Sequence, residues 1–251
     1  MVDPIAFVLI FIRITIMMMF IPIFGSQTVP WIAKMGFCGF LALSLLNSIN
    51  VDFSEVGNCQ IILSIISDFL VAIAIGLVIR FIFDGIQFAG ECISYQMGLT
   101  VMNVIDPISA TQTPIISQLK QIIALFIFFA INGHHQLIRI IAESFRYIPL
   151  SGVNINKSLL YQVITISGLI FTIAIKLSAP ILIAMFIANL TMGIIARTMP
   201  QINIFILSFP LYIGLTLVIM GIFMPFFIKF IKNCLNCMIL NANKIIAIAG
   251  V

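Results

Sequence analysis

The chain has 251 residues, 62% of them hydrophobic and 8% charged, with a mean hydropathy of +1.25. Soluble domains carry about 25% charged residues, so this composition belongs to an integral membrane protein. A formal charge of +4, thinly spread with no basic block, gives no support to nucleic-acid binding.

Apolar runs occupy residues 5–24, 31–49, 60–79, 81–104, 119–132, 158–190 and 202–228, against about 20 residues needed for a full crossing. The first follows Asp3 with no basic cluster and no small-x-small cleavage site, so it reads as retained rather than as a removable signal peptide. It holds Arg13, the run Met17, Met18, Met19, and Pro22. Three consecutive methionines spread around a helix, which suits filling of core or lipid-facing space better than the lining of a lumen. The second run carries Lys34 and Cys38, and residues 50–58 form an acidic turn with Asp52 and Glu55. The third carries Asp68; Cys38, Cys59 and Cys92 read as small hydrophobes.

The fourth run holds a polar stripe: Arg80, Asp84, Gln87, Glu91 and Ser94, ending at Gly98. At 100° per residue these positions lie within about 40° of one line and extend roughly 20 Å. Ile79, Phe81, Ile82, Phe88, Ile93 and Met97 fall on the opposite face. A charged side chain at the centre of a lipid-facing helix costs about 2.5–3.5 kcal/mol, so the stripe faces protein or water: a bundle interface, an inter-subunit seam or a lumen. An Arg80–Asp84 pair one turn apart would lower the cost and leave Glu91 needing another partner.

Residues 103–117, NVIDPISATQTPIIS, interrupt the apolar pattern with two prolines, several hydroxyls and an amide. They read as a surface turn or as a re-entrant loop, which a membrane permits only where protein or water surrounds it. The fifth run, with Lys120, is short and reads as half-inserted or broken. Residues 133–157 read as a loop in which His134 and His135 cap or terminate a helix. The sixth run holds Lys176 and Pro180, and the last is followed by a tail with Cys234 and Cys237. That lone C-x-x-C has no second pair or nearby histidine to complete a zinc site. No metal, cofactor or catalytic set is expected: neither histidine has a carboxylate at metalloprotease spacing, and Asp68 and Asp84 have no flanks that suggest an aspartyl pair.

Arg13, Lys34, Asp68, Lys120 and Lys176 all lie in apolar runs, which suggests helices solvated by partners. Arg139, Arg146 and Lys157 in the 133–157 segment, and Lys229, Lys232 and Lys244 in the tail, place both on the cytoplasmic side. Seven crossings then put the N-terminus outside and the C-terminus inside. Prolines at 22, 107, 114, 180, 200, 210 and 225 make several segments candidates for bent hairpins rather than rods. A small-solute transporter with a midplane site is a rival reading, though no internal repeat with paired broken helices stands out.

The string GLIFTIAIKLSAPILIAMFIANLTMGIIARTMPQINIFILSFPLYIG (168–214) closely resembles the signature region of the FliR family of flagellar type III export gate subunits and their virulence-secretion counterparts. RITIMMMFIPIFGSQTVPWIAK (13–34), FAGECISYQMGLTVMNVIDP (88–107) and INGHHQLIRIIAESFRYIPLS (131–151) look like earlier blocks of the same family, in order, so the resemblance covers nearly the whole chain. Its most specific residues are Arg197, Pro200, Gln201, Asn203, Phe205 and Pro210. The ARTMPQINIF block favours the flagellar branch over the virulence one.

The resemblance implies an all-α integral membrane protein, a single membrane domain over 1–251 built of kinked helical hairpins, with residues 1–150 FliP-like and 151–251 FliQ-like. It implies a pore-forming role in the bacterial inner membrane at the flagellar basal body, passing unfolded flagellar components outward. The implied partners are FliP and FliQ in the gate, FlhB and FlhA beside it, translocating protein substrates and membrane lipid. Much of such an assembly is raised out of the bilayer toward the periplasm. By position, a plug-like loop falls on Asn103, Val104, Ile105, Asp106, Pro107, Ile108, Ser109, Ala110, Thr111, Gln112, Thr113 and Pro114. Arg80, Asp84, Gln87, Glu91 and Ser94 then become inter-subunit or lumen-facing groups.

Overall fold

A computed structural model describes residues 4–25, 29–46, 58–98, 114–148, 157–201 and 203–250, and among these every regular element is a helix. In chain order they are α1 (Pro4–Met19), α2 (Pro22–Gly25), α3 (Trp31–Leu46), α4 (Asn58–Gln96), α5 (Ile115–Ala130), α6 (Gly133–Tyr147), α7 (Lys157–Ser167), α8 (Leu169–Thr198), α9 (Ile204–Ile222) and α10 (Met224–Ala249). The all-α membrane class read from the sequence is the observed one.

The helices divide the chain differently from the apolar runs. Residues 60–79 and 81–104 were expected as two segments, yet α4 runs unbroken for 39 residues, because Arg80 is a good helix former that ends nothing when its neighbours supply no turn residue. Seven straight crossings are replaced by two helical stretches long and apolar enough to span, Ser64–Gln96 and Lys157–Thr198, and by up to four spans if two broken pairs each count as one. One broken pair is α5 with α6; the other is α9 with α10, bent by 63°. The first breaks at Asn132, whose left-handed backbone (φ 56°) stops α5.

Residues 133–147 are a helix where a loop was expected. Leu137, Ile140, Ile141, Ser144 and Phe145 repeat at i, i+3, i+4, i+7, i+8 and are all buried, while Arg139 and Arg146 are exposed, so α6 is amphipathic and its cations are simply its outer face. His134 and His135 begin α6 rather than ending a helix. The C-terminal tail is likewise helical: Phe227, Ile231, Leu235, Met238, Ala242, Ile245 and Ala249 form a buried stripe along α10.

Two compact units result. The first comprises residues 1–82, 132–168 and 235–251, the second residues 83–131 and 169–234. In the first, α1 packs on α3, with Met17 and Met18 buried and Met19 exposed, so the methionine run fills core. Phe20 sits against Gly76, where an added Cβ would come within 2.3 Å of the ring. In the second, α9 packs on α8, and Ile93, Met97, Ile116, Ile181 and Met185 form a core cluster flanked by Tyr212, Ile213, Leu215, Ile219 and Met220.

Candidate functional site

Polar groups gather at two places, one in each unit. In the first unit, Arg13 on α1 and Asp68 on α4 are fully buried and form an ion pair. Arg13 Nη1 also donates to the carbonyls of Ser144 (3.2 Å) and Ile148 (3.1 Å), and its guanidinium lies 4.5 Å from the Phe145 ring centroid. One cation thereby caps the C-terminal end of α6, where the helix dipole favours positive charge, sharing the Ser144 carbonyl with the Ile148 N–H (3.0 Å). Arg13 and Asp68 were expected to need partner chains; the fold neutralises them internally, joining residues 55 positions apart.

In the second unit, the lower part of the polar stripe meets α5. Two i, i+4 rows face each other: Gln87 and Glu91 on α4, Ser117 and Gln121 on α5. Gln121 Nε2 donates to Gln87 Oε1 (2.6 Å), Gln87 Nε2 donates to Glu91 Oε1 (2.8 Å), and Ser117 Oγ donates to the Gln87 carbonyl (2.9 Å). This chain of amides ends on a carboxylate, and all three side chains are half-buried. The approach depends on Gly90, where a Cβ would stand 2.4 Å from Ser117 Cα. Ser94, one turn on, is fully buried, and its hydroxyl has no hydrogen-bond partner among the described residues.

Lys120 uses the neighbouring face of α5. Its ammonium is buried, donates to the Leu177 carbonyl at 3.4 Å and lies 5.3 Å from the Phe227 ring centroid. Beside it is a cavity of about 20 Å³, lined also by Pro180, Ile181 and Met220, about the space one water needs. Lys120 too was expected to need a partner chain and finds its contacts inside the unit.

The sequence-derived stripe thus separates. Arg80, in the first unit, is exposed; Asp84, Gln87 and Glu91, in the second, are half-buried; Ser94 is buried. Gln121 and Ser117 were missed as members of the seam, although their own i, i+4 spacing in an apolar helix was the signal. Asn103 to Thr113 lie outside the described residues; Pro114 is the N-cap of α5 with extended backbone (φ −61°, ψ 144°). Arg197, Pro200, Gln201 and Asn203 are exposed where α8 gives way to α9, Phe205 lies in the first turn of α9, and Pro210 is exposed within it. Cys234 is half-buried and Cys237 exposed on α10, and among the described residues no three His, Cys, Asp or Glu side chains gather as metal ligands.

Residues 5–238 match the family model described as bacterial export proteins, family 1. The flagellar biosynthetic protein FliR of Bacillus subtilis (strain 168) is 32% identical over 249 residues, covering 98% of this chain and 96% of that protein. FliR of Escherichia coli (strain K12) is 27% identical over 212 residues, 84% of this chain and 81% of the relative, and FliR of Aquifex aeolicus (strain VF5) is 26% identical over 225 residues, 88% and 86%. A match along nearly the whole length, to a family model and to full-length relatives alike, shows that the chain belongs to the FliR family of bacterial export proteins.

Proposed function

We propose that this chain is a flagellar biosynthetic protein that forms part of the wall of the type III export gate, and that it passes unfolded flagellar components across the inner membrane in company with FliP and FliQ. The observation that carries this reading is the end-to-end match to proteins named for flagellar biosynthesis, including 96% of the length of one relative. Residues 1–150 serve as the FliP-like half and 151–251 as the FliQ-like half, with FlhB, FlhA and the basal body as neighbours. The gate sits in the bacterial inner membrane, N-terminus outward and C-terminus in the cytoplasm.

Physical chemistry supports a role that depends on assembly. The seam of Gln121, Gln87 and Glu91 leaves a carboxylate balanced by a neutral amide at half-buried positions of apolar helices, a costly arrangement in hydrocarbon that a subunit interface or an aqueous passage relieves. Arg80, Asp84, Gln87 and Glu91 line such a seam or lumen, while Ser94, fully buried within the second unit, continues the stripe inward. Residues Asn103 to Pro114 help close the passage at rest, since an open conduit wide enough for a polypeptide dissipates the proton gradient. Arg197, Pro200, Gln201, Asn203, Phe205 and Pro210 hold the turn that presents this end of the chain to its neighbours.

The test is co-expression with the FliP and FliQ of the same organism, detergent extraction and native mass measurement. A discrete hetero-complex carrying the chain is the expected result. Recovery solely as a monomer or homo-oligomer overturns the gate reading and points to solute-uptake assays. Within an assembled complex, shortening the 103–114 segment is expected to raise ion leakage across the membrane, and unchanged conductance removes the plug assignment.

A further inference from the structure

In the second unit, a proline that takes a donor away from one helix lies close to a lysine that brings one from another. Pro180 sits inside α8. Having no N–H, it deprives the Lys176 carbonyl of the amide four residues on, and its ring crowds the preceding turn. The backbone ladder is shared with side chains along this stretch. Ser178 Oγ donates back to the carbonyls of Ala174 (2.7 Å) and Ile175 (3.4 Å), a back-bond of the kind that bends helices. The Leu177 carbonyl, three residues before the proline, accepts from Lys120 Nζ of α5 at 3.4 Å.

The same ammonium reaches a second bend. It lies 5.3 Å from the ring centroid of Phe227 in the first turn of α10, just past the 63° elbow between α9 and α10. Phe223 is the residue between those two helices, and Pro225 withholds the amide that would bond Gly221 and carry one helix through. Lys120, Leu177, Pro180, Met220, Phe223 and Phe227 share one cavity of about 20 Å³, so the cation and both bends meet at one point inside the second unit. Arg13 shows what a cation committed to holding a fold looks like: a buried carboxylate and two carbonyls. Lys120 is as deeply buried, yet among the described residues it has one long hydrogen bond, a ring face and open space beside it. Contacts of that strength break and re-form, and the space lets the lysine stem swing.

We propose that Lys120 is the latch of a proline hinge: its ammonium holds α8 bent at Pro180 against the α9–α10 elbow, and its withdrawal frees α8 to flex over residues 177–181. The helix on either side of the hinge stays intact, because its own backbone ladder is unbroken there. The position of α5 sets the bend of α8, since a shift of α5 along its axis draws the ammonium off Leu177 and Phe227 together. The device belongs to this chain's own helices, so it goes beyond the gate reading and stands or falls apart from it.

Hydrogen–deuterium exchange with peptide mass analysis, on the full chain extracted together with whatever it binds, tests the latch. Lys120→Met is expected to speed exchange of the amides from 178 to 184 about tenfold or more through local opening, while residues 186–196 of the same helix keep the parent rates. Pro180→Ala restores the missing amide, and with Lys120 in place it is expected to slow exchange at 181–184 about tenfold. In the Pro180→Ala background, Lys120→Met is expected to change nothing at 181–184, because the ladder no longer needs an outside donor. Parent rates in Lys120→Met, a rise spread evenly along α8, or the same rise with and without Pro180 each overturns the proposal. Pro180→Ala keeps Lys120 and its surroundings, so it reads the hinge even where Lys120→Met does not fold, and parent rates at 181–184 in that variant overturn the proposal as well.

Discussion

The two units solve the same problem in opposite ways. In the first, a cation and a carboxylate from distant parts of the sequence meet in the dark, and the spare donors of Arg13 take up the last carbonyls of α6. In the second, Gln121 and Gln87 pass a hydrogen bond along to Glu91 at half-buried positions, and Lys120 rests on one long carbonyl contact and a ring face. A buried pair neutralised internally belongs to the fold; a carboxylate answered by neutral amides leaves charge for something else to meet. The first unit thus closes its buried charges on itself, and on the proposed gate reading it is the second that contact with a neighbour completes.

The strongest way to break that contrast is to remove one member of the ionic knot. Arg13→Met leaves Asp68 buried and unpaired and strips α6 of its cap, with an expected loss of about 3–5 kcal/mol. Thermal loss of helicity in detergent reads it, and an unchanged midpoint would show that the knot is not what holds the unit. Replacing the pair together, Arg13→Met with Asp68→Leu, is expected to recover most of the loss, because apolar side chains of similar volume need no desolvation. A double variant as unstable as the single would move the credit from charge neutralisation to the capping of Ser144 and Ile148.

The matching intervention in the second unit is steric. Gly90→Ala places a methyl 2.4 Å from Ser117 Cα, so α4 and α5 must part. The expected cost is about 1–3 kcal/mol, and a disulfide engineered across the α4–α5 contact should form more slowly in the variant. Full stability with unchanged cross-linking would mean that the close approach is dispensable. Next in size comes Gln87→Leu, which breaks the amide chain at its middle and leaves Gln121 and Glu91 without their partner. The chain alone should lose about 1–2 kcal/mol, and a cycle with Glu91→Gln should show coupling of at least about 0.5 kcal/mol. Strict additivity would mean that the three side chains act separately.

Sequence reading found the need for these contacts better than their partners. Arg13, Asp68 and Lys120 stand out because ionised groups are costly in apolar helices, but 55 residues separate Arg13 from Asp68 and no local spacing links them, so they were assigned to partner chains. The stripe from Arg80 to Ser94 was legible because its logic is local, one helix and one period. Its α5 counterpart was less so: Ser117 and Gln121 share a face, yet Ser117 follows a proline-rich segment and reads as part of that loop. Arg80 misled in the other direction by resembling a break in what is one helix. In residues 133–147, the glycine and histidines at the start hid a plain amphipathic period. The signature residues are legible by resemblance alone, and Arg197, Pro200, Gln201, Asn203 and Pro210 are exposed.

The smallest predicted effect sharpens the comparison from its other end. Arg139 Nε donates to Glu143 Oε1 at 2.9 Å across one turn of α6, with side-chain exposures of 71% and 28%. The knot and this pair therefore share a unit, and Arg13 caps the same helix that carries Arg139 on its outer face. They differ in burial. Water already solvates Arg139, so Arg139→Gln removes a screened attraction of about 0.3–0.5 kcal/mol, and raising salt should erase the difference between variant and parent. Arg13→Met should keep its penalty in the same salt series, since ions do not reach a fully buried pair. If salt weakens the effects at both positions equally, water reaches Asp68, and the contrast between a sealed ion pair in the first unit and a half-buried carboxylate in the second falls.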